Sequence, residues 1–435
     1  MRSALLFCLL ACLPLAAQQA PIPMATELPG SPFFIKKTWF IGGAGNWDYL
    51  ALDAAAKLLY IAHGTSVQVV DVDSGSLVKE ISGFHEAHAI ALDDTGAFGY
   101  VSDGPAKEVE VFDRQTFQIA ATIPISCSPR SIAFEPASKL IFAICGISGA
   151  SPPAPQTPAR RPIASTQPPR PSENLQPPSG AGISHVVVID SERNRVAADI
   201  VMVGDFRFAQ SDGNGQVYVS VGAVLQNYVR DHYQGQEYFP PKIAKLDGPA
   251  IAAEAERHRE AQAPQTSPDT EILDIDWSHE PIRGSLVHFL KLDSSCENPQ
   301  GLAVDRKDAR LFAACENQRF AVLDGNTGAV TASLTTGPGD AVVAYDRDRG
   351  MIFVANGAGY GSLTIIRQDA TTDSYAVIQN LPTQERARTL AVDSATGEVY
   401  LVTDFRGVDL TKTGSIGSLH SDPVPGSFQV LVVGQ

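Results

Sequence analysis

Beyond residue 20 the sequence has no apolar run long enough to cross a bilayer as a helix, so no transmembrane segment is expected there. It is also short of positive charge. Lys and Arg number 33 against 48 Asp and Glu, giving a net charge of −15 and a pI near 5.0. Such a surface argues against a sequence-independent grip on phosphate backbones, and no nucleic-acid partner is expected. Familiar catalytic signatures are missing too. There is no G-x-S-x-G, no Walker loop, no dinucleotide fingerprint and no C-x-x-C-H haem attachment. No Ser/His/Asp set can be assembled from chain order alone.

Cysteine is scarce, with six in 435 residues, and two of these, Cys8 and Cys12, lie in the opening MRSALLFCLLACLPLAAQQA. One Arg, an apolar run and small residues before Gln18 read as a secretory signal peptide over 1–17, followed by a linker over 18–32. Cleavage after Ala17 is the expected processing. The alternative is lipoprotein anchoring at Cys12, since Leu9-Leu10-Ala11-Cys12 is a loose lipobox. Either route predicts a periplasmic or secreted protein.

What the sequence does have is a repeat. An acidic residue is followed seven positions later by an aromatic in Asp53/Tyr60, Asp93/Tyr100, Glu135/Phe142, Asp305/Phe312, Asp346/Phe353 and Asp393/Tyr400. In a seventh copy, Ser211/Tyr218, Ser stands in the acidic place. Each copy reads as four short strands. One ends at the acid, one carries the aromatic, a third ends in another Asp (Asp71, Asp113, Asp190, Asp247, Asp324), and a fourth follows a polar turn. Four strands per unit of roughly 40 residues is the β-propeller blade pattern. The expected fold is all-β, a seven-bladed propeller over 33–435. The last copy runs out before its fourth strand, and Phe33–Ile41 is the segment expected to supply it and close the ring. The acids recur in nearly every copy, so turn-capping accounts for them without any catalytic role.

Two insertions break the period. Residues 146–182 are rich in Pro, Ser and Gln and read as a disordered or polyproline loop between two strands of blade 3. Residues 222–284, in blade 4, hold NYVRDHYQGQEYF and a helical run, PAIAAEAERHREAQ. An excursion of that length often forms a lid or an interface.

Four cysteines remain: Cys127, Cys145, Cys296 and Cys315. Cys145 and Cys315 hold the same repeat position, three after the aromatic, and Cys127 and Cys296 lie in loops that lead into a blade. Three pairings are open to four cysteines. The placement favours Cys127–Cys145 and Cys296–Cys315 as disulfides.

Propeller sites usually lie at the mouth of the central channel. There the loops leading into the first strands meet the ends of the second strands. Reading those positions blade by blade gives Trp47, Asp48, Arg130, Arg207, Gln300, Asp340, Asn356 and Arg388 as ligand-binding candidates. The arginines could fork onto a carboxylate or phosphate, or pair with acids of the neighbouring blade. Trp47 could stack on a ligand ring or fill the gap between blades. His63, His85, His88 and Asp103 are the metal candidates. Imidazole with carboxylate suits a divalent ion, and H-x-x-H stands at 85–88. The competing reading is that the three histidines are solvated or hydrogen-bonded at the rim.

The stretches WDYLALD, IAHGTSVQVVD, CENPQGLAVD, LFAACEN, FVANG, RARTLAVD and VPGSFQVLVVG resemble the YVTN-type repeat of the YncE-like propellers, over nearly the whole mature chain. The resemblance implies a seven-bladed, exported propeller of unassigned reaction and carries over no catalytic residue. Two functions are therefore expected in order. The first is a binding or scaffolding propeller, a monomer that recognises a protein or small ligand at the mouth or through its insertions. The second is a lactonase- or lyase-type enzyme with a divalent metal as cofactor.

Overall fold

The structure is a computed structural model that describes residues 32–43, 45–147, 182–230, 233–262, 273–275, 286–339, 341–408 and 421–435. Seven four-stranded antiparallel sheets follow one another in chain order. Their first strands are Trp47–Asp53, Ala87–Leu92, Ser131–Glu135, Asp205–Ser211, Pro299–Asp305, Ala341–Asp346 and Leu390–Asp393. The last sheet takes its fourth strand, Phe34–Phe40, from the other end of the chain, antiparallel to Gln429–Gly434. This is the seven-bladed propeller with the expected closure.

The reason for the repeat is visible in the register. In six of the seven blades the aromatic of the second strand is buried and stands opposite an alanine of the first. Tyr60, Tyr100, Phe142, Phe312, Phe353 and Tyr400 face Ala51, Ala91, Ala133, Ala303, Ala344 and Ala391. A large ring over an alanine fills the space between sheets without a void. There is no single core. Instead seven apolar clusters occupy the seven gaps between neighbouring blades, from Trp39, Trp47 and Tyr400 between blades 7 and 1 to Phe353 and Leu390 between blades 6 and 7.

The recurrent acids cap turns. Asp53 accepts from the Ala56 N–H, Asp93 from Gly96, Glu135 from Ser138 and Asp393 from Ala395. At the third strands Asp71, Asp113, Asp190 and Asp324 do the same for the residues two or three ahead. Blade 4 corrects the reading of Ser211. There Gln210 faces Tyr218, so the acid's place, two residues after the aromatic's partner, falls on Asp212 and not on Ser211. The turn is one residue shorter, and the acid is Asp212, which accepts from Asn214 and Gln216.

The second insertion is also corrected: it is two excursions, not one. The third strand of blade 4, Lys242–Asp247, interrupts it. Before that strand comes a hairpin, Val224–Arg230 with Tyr233–Phe239. After it comes a helix, α1, Gly248–Gln262. Asp247 caps α1 through the Ala250 N–H, and Pro249 in the first turn loses no bond there. Ile251 buries the helix against blades 3 and 4. Leu273–Ile275 then adds a fifth, parallel strand to blade 3. A second hairpin, Arg406–Val408 with Ser421–Pro423, stands between the second and third strands of blade 7. The leader, most of the linker, and residues 148–181 of the Pro-rich insertion lie outside the described residues.

Candidate functional site

In every blade the start of the first strand, the end of the second and the start of the third share one face, as Trp47, His63 and Ser66 do in blade 1. On that face the channel opens into a cavity of about 620 Å³. Asp48, Glu86, His88, Arg130, Asp205, Arg207, Gln300 and Arg388 bring charged or polar groups to it. These come from one repeat position. Asp48, His88, Arg130, Arg207, Gln300 and Arg388 each stand five residues before the acid of their blade, Asp53, Asp93, Glu135, Asp212, Asp305 and Asp393. Blade 6 has Ala341 there.

Bulges aim these side chains. In blades 1, 2, 4 and 5 the first strand carries one extra residue at this point, between Trp47 and Leu50, Ala87 and Ile90, Phe206 and Ala209, and Pro299 and Leu302. An extra residue bends the strand and turns a side chain out of the ladder. The freed N–H groups find new acceptors: Ala89 donates to Ser102 Oγ at 2.9 Å and Phe208 to Ser220 Oγ at 3.1 Å. The cavity has an aromatic floor. Tyr49 of blade 1 meets Phe208 of blade 4 across the axis, ring centroids 5.4 Å apart. Below them a second cavity of about 710 Å³ continues down the channel, and Tyr49 lines both.

The charges in the mouth are not equally committed. Asp48 faces His88 Nδ1 at 3.1 Å and Arg388 at 3.8 Å. Arg207 is held by Asp205 and Glu316, each at 2.7 Å. Burial works against its charge, but those two partners outweigh it and raise its pKa. Gln300 Nε2 donates to the same Glu316 oxygen, also at 2.7 Å. The guanidinium of Arg130 and the carboxylate of Glu86 make no ion pair among the described residues.

Both cysteine pairs serve this face. Cys127 and Cys145 are bonded, with Cα atoms 6.0 Å apart, and so are Cys296 and Cys315, at 5.3 Å. Each joins the loop leading into a blade to the end of its second strand. One loop carries Arg130, and the other leads into the strand that carries Gln300.

Several expected residues are elsewhere. Trp47 is buried between blades 7 and 1, against Phe428, with the Arg386 guanidinium 4.8 Å from its ring centroid. It fills a gap and does not line the mouth. Asn356 is fully buried, its amide donating to Val354 O and Thr364 Oγ1. Asp340 lies outside the described residues. The metal candidates do not converge. His63 is buried and stacks on Phe428, ring centroids 4.0 Å apart, and its burial lowers its pKa. His85 is largely exposed beside Asp103, and His88 turns to Asp48. Asp103 is itself occupied, accepting the N–H groups of His85 and Glu86. Among the described residues no three His, Cys, Asp or Glu are placed to share a cation.

The sequence reading found six mouth positions but missed Glu86, Asp205 and the aromatic floor. The signal for the ring was a fixed offset before the acid, hidden at Arg207 by the short turn of blade 4.

No protein-family description matches the chain, and no curated protein does either. Solved structures match over about nine-tenths of its length. The structure of U3-55K superposes with a TM-score of 0.56 at 9% identity, covering 90% of this chain and 97% of that one. The RRP9 WD40 repeats give 0.56 at 9%, covering 91% and 96%. A chain of the mitotic checkpoint complex gives 0.56 at 11%, covering 89% and 95%. At such identities the likeness is one of fold, the WD40-type propeller.

Proposed function

We propose that this chain is an exported binding propeller that takes a protein partner on the face carrying the mouth. One observation carries the reading: the features suited to contact gather on that face. The two hairpins rise from it, both bridges brace it, and the polar cavity opens at its centre. Its loops also expose apolar side chains, which elsewhere on the propeller sit mainly on outer strands. Tyr360 is 95% exposed, and Leu225, Tyr238, Phe405 and Val424 are exposed with it. Large exposed apolar patches, especially ones rimmed by polar residues, mark interaction surfaces. The mitotic checkpoint chain, similar in fold, comes from a complex. The apolar leader at 1–17 and the two bridges support an exported location.

The metal-assisted enzyme reading loses its geometric support, because His63, His85 and His88 go to three separate surroundings. A photo-crosslinking residue tests the binding reading. Placed at Tyr360 in the native cell, it should give a discrete adduct. Placed at Leu77, on the outer strand of blade 1, it should give none. Equal adducts at both positions would remove the basis for this face. Fractionation should put the protein outside the cytoplasm, with an N-terminus at Gln18.

A further inference from the structure

We propose that the mouth is a carboxylate-binding site in which Arg130 and Arg388 grip the ligand. The inference rests on the proposed binding face and names the chemistry that face recognises. Three guanidinium groups line one cavity, but they are not equivalent. Arg207 is saturated by Asp205 and Glu316. Among the described residues Arg388 has only Asp48, at 3.8 Å, and that carboxylate is shared with His88 at 3.1 Å. Arg130 has no ion pair among the described residues. In a chain carrying 48 acidic residues against 33 basic ones, two loosely committed guanidiniums facing one cavity stand out.

Both are held on preset backbone. Arg130 follows Cys127 by three residues, and its N–H donates to Ile144 O at 2.8 Å, so a bridge and a hydrogen bond fix its loop. Arg388 follows Arg386, a non-glycine residue at φ 68°. Left-handed backbone of that kind is disfavoured for an L residue and gathers at functional sites. The N–H of Arg386 is tied to Gly357 O at 2.8 Å, and the carbonyl of Arg388 accepts from Val342. Preset donors lose little freedom on binding, which favours affinity.

The chemistry follows from the wall. A guanidinium forks onto a carboxylate or a phosphate with paired hydrogen bonds. Asp48 and Glu86 line the same cavity, and their charge opposes a dianion more than a monoanion. That favours the carboxylate. The Glu86 carboxylate, which has no ion pair among the described residues, adds an acceptor for an N–H group beside it. A Glu or Asp side chain on a peptide offers both groups; a free organic acid offers the first alone.

Displayed random peptides and free butyrate, a monocarboxylate, are the probes. They are offered to the wild-type protein, to Arg130→Gln, to Arg388→Gln, to the double variant, and to Lys139→Gln. Lys139 pairs with Asp94 away from the mouth and serves as the control. Selected peptides should be rich in Asp or Glu and should be displaced by butyrate. Each mouth substitution should weaken them about tenfold or more, while the control leaves them unchanged. Butyrate binding through the same two arginines, with no peptide selected, supports the site with a free acid as its source. Acidic peptides that the double variant still binds would overturn the proposal. So would selection of neutral or basic peptides, or no binding of either probe. In those cases the Tyr360 adduct still decides, separately, whether the face is an interface. Melting temperatures within a degree or so of wild type show that the variants are folded.

Discussion

Trp39→Ala isolates ring closure from everything else in the fold. Trp39 lies on the strand that the N-terminal end lends to blade 7, opposite Val430. It is the buried residue in a strand otherwise exposed, at 9%. Its indole stacks on Tyr400, ring centroids 5.7 Å apart, and lies against Gly75 of blade 1, where a Cβ has no room. The side chain therefore joins blade 7 to blade 1 at the seam. Truncating a buried Trp or Phe to Ala typically destabilises by about 3–5 kcal/mol, through lost transfer energy and the cavity left behind. Unfolding entropy near the midpoint is about 2.1 cal/mol/K per residue, so for roughly 350 ordered residues a 4 kcal/mol loss lowers the melting temperature by roughly 5 °C. Phe40→Ala, one residue on, removes a ring that is 67% exposed and should change stability by no more than about 0.5 kcal/mol. Differential scanning calorimetry on both variants and on a deletion of 33–41 is the assay. The deletion also removes Phe33, which meets Phe353 edge-on and exchanges two hydrogen bonds with Gln379 of blade 6. It should abolish the cooperative transition, because Gln429–Gly434 becomes an open edge. Equal melting of the Trp39 and Phe40 variants, or an unchanged transition in the deletion, would refute closure as a source of stability.

The bridges close loops of 18 and 19 residues, so replacing either cysteine pair by Ser should lower stability by about 3 kcal/mol in the chain-entropy account. Thiol labelling of denatured, unreduced protein should find Cys127, Cys145, Cys296 and Cys315 all unreactive. Turn backbone gives a second test. Ala309 sits at φ 49°, at the repeat position where Gly350 and Gly397 sit at 61° and 78°. Ala309→Gly should stabilise by up to about 1 kcal/mol, and Gly397→Ala should destabilise by about 1–2 kcal/mol, both read by chemical denaturation. Acid should loosen the fold through the third-strand turns. The Ser74 hydroxyl holds Asp71, and the N–H groups of Thr116, Thr327 and Thr371 hold Asp113, Asp324 and Asp369, below the ordinary value of 3.8. A depressed folded pKa contributes stability that is present above the unfolded value and lost as pH falls through the folded one. Melting temperature should therefore fall as pH drops below about 4, and less steeply in an Asp71→Asn/Asp324→Asn variant.

Most of the fold was legible because its cause is local and periodic. An alanine lies under the second-strand aromatic in six blades and an acid caps the first turn, so both recur at fixed spacing. Blade 4 shows where such reading slips. Its turn is one residue short, so counting seven back from Tyr218 lands on Ser211 while the capping acid is Asp212. In the same blade the repeat pattern places a third strand ending at Asp247, inside the stretch 222–284 that also reads as one insertion. The pairing of Lys242–Asp247 with Gln216–Gly222 and Val287–Lys291 decides for the strand and splits the insertion into a hairpin and a helix.

The mouth was legible in position but not in orientation. Blade order places His63, His85 and His88 on neighbouring points of one rim, yet a ring's direction depends on one or two residues of backbone. His63 ends a straight second strand and turns inward onto Phe428. His88 sits at a bulge, which turns it toward the axis and Asp48. His85 precedes the bulge and stays in solvent beside a carboxylate already taken by backbone donors. Three imidazoles close in the linear argument are thus parted by a single inserted residue. The same inserted residue, repeated in blades 1, 2, 4 and 5, is what gathers Asp48, His88, Arg207 and Gln300 around one cavity. The bulge that dismantles the metal set is therefore the device that builds the polar ring.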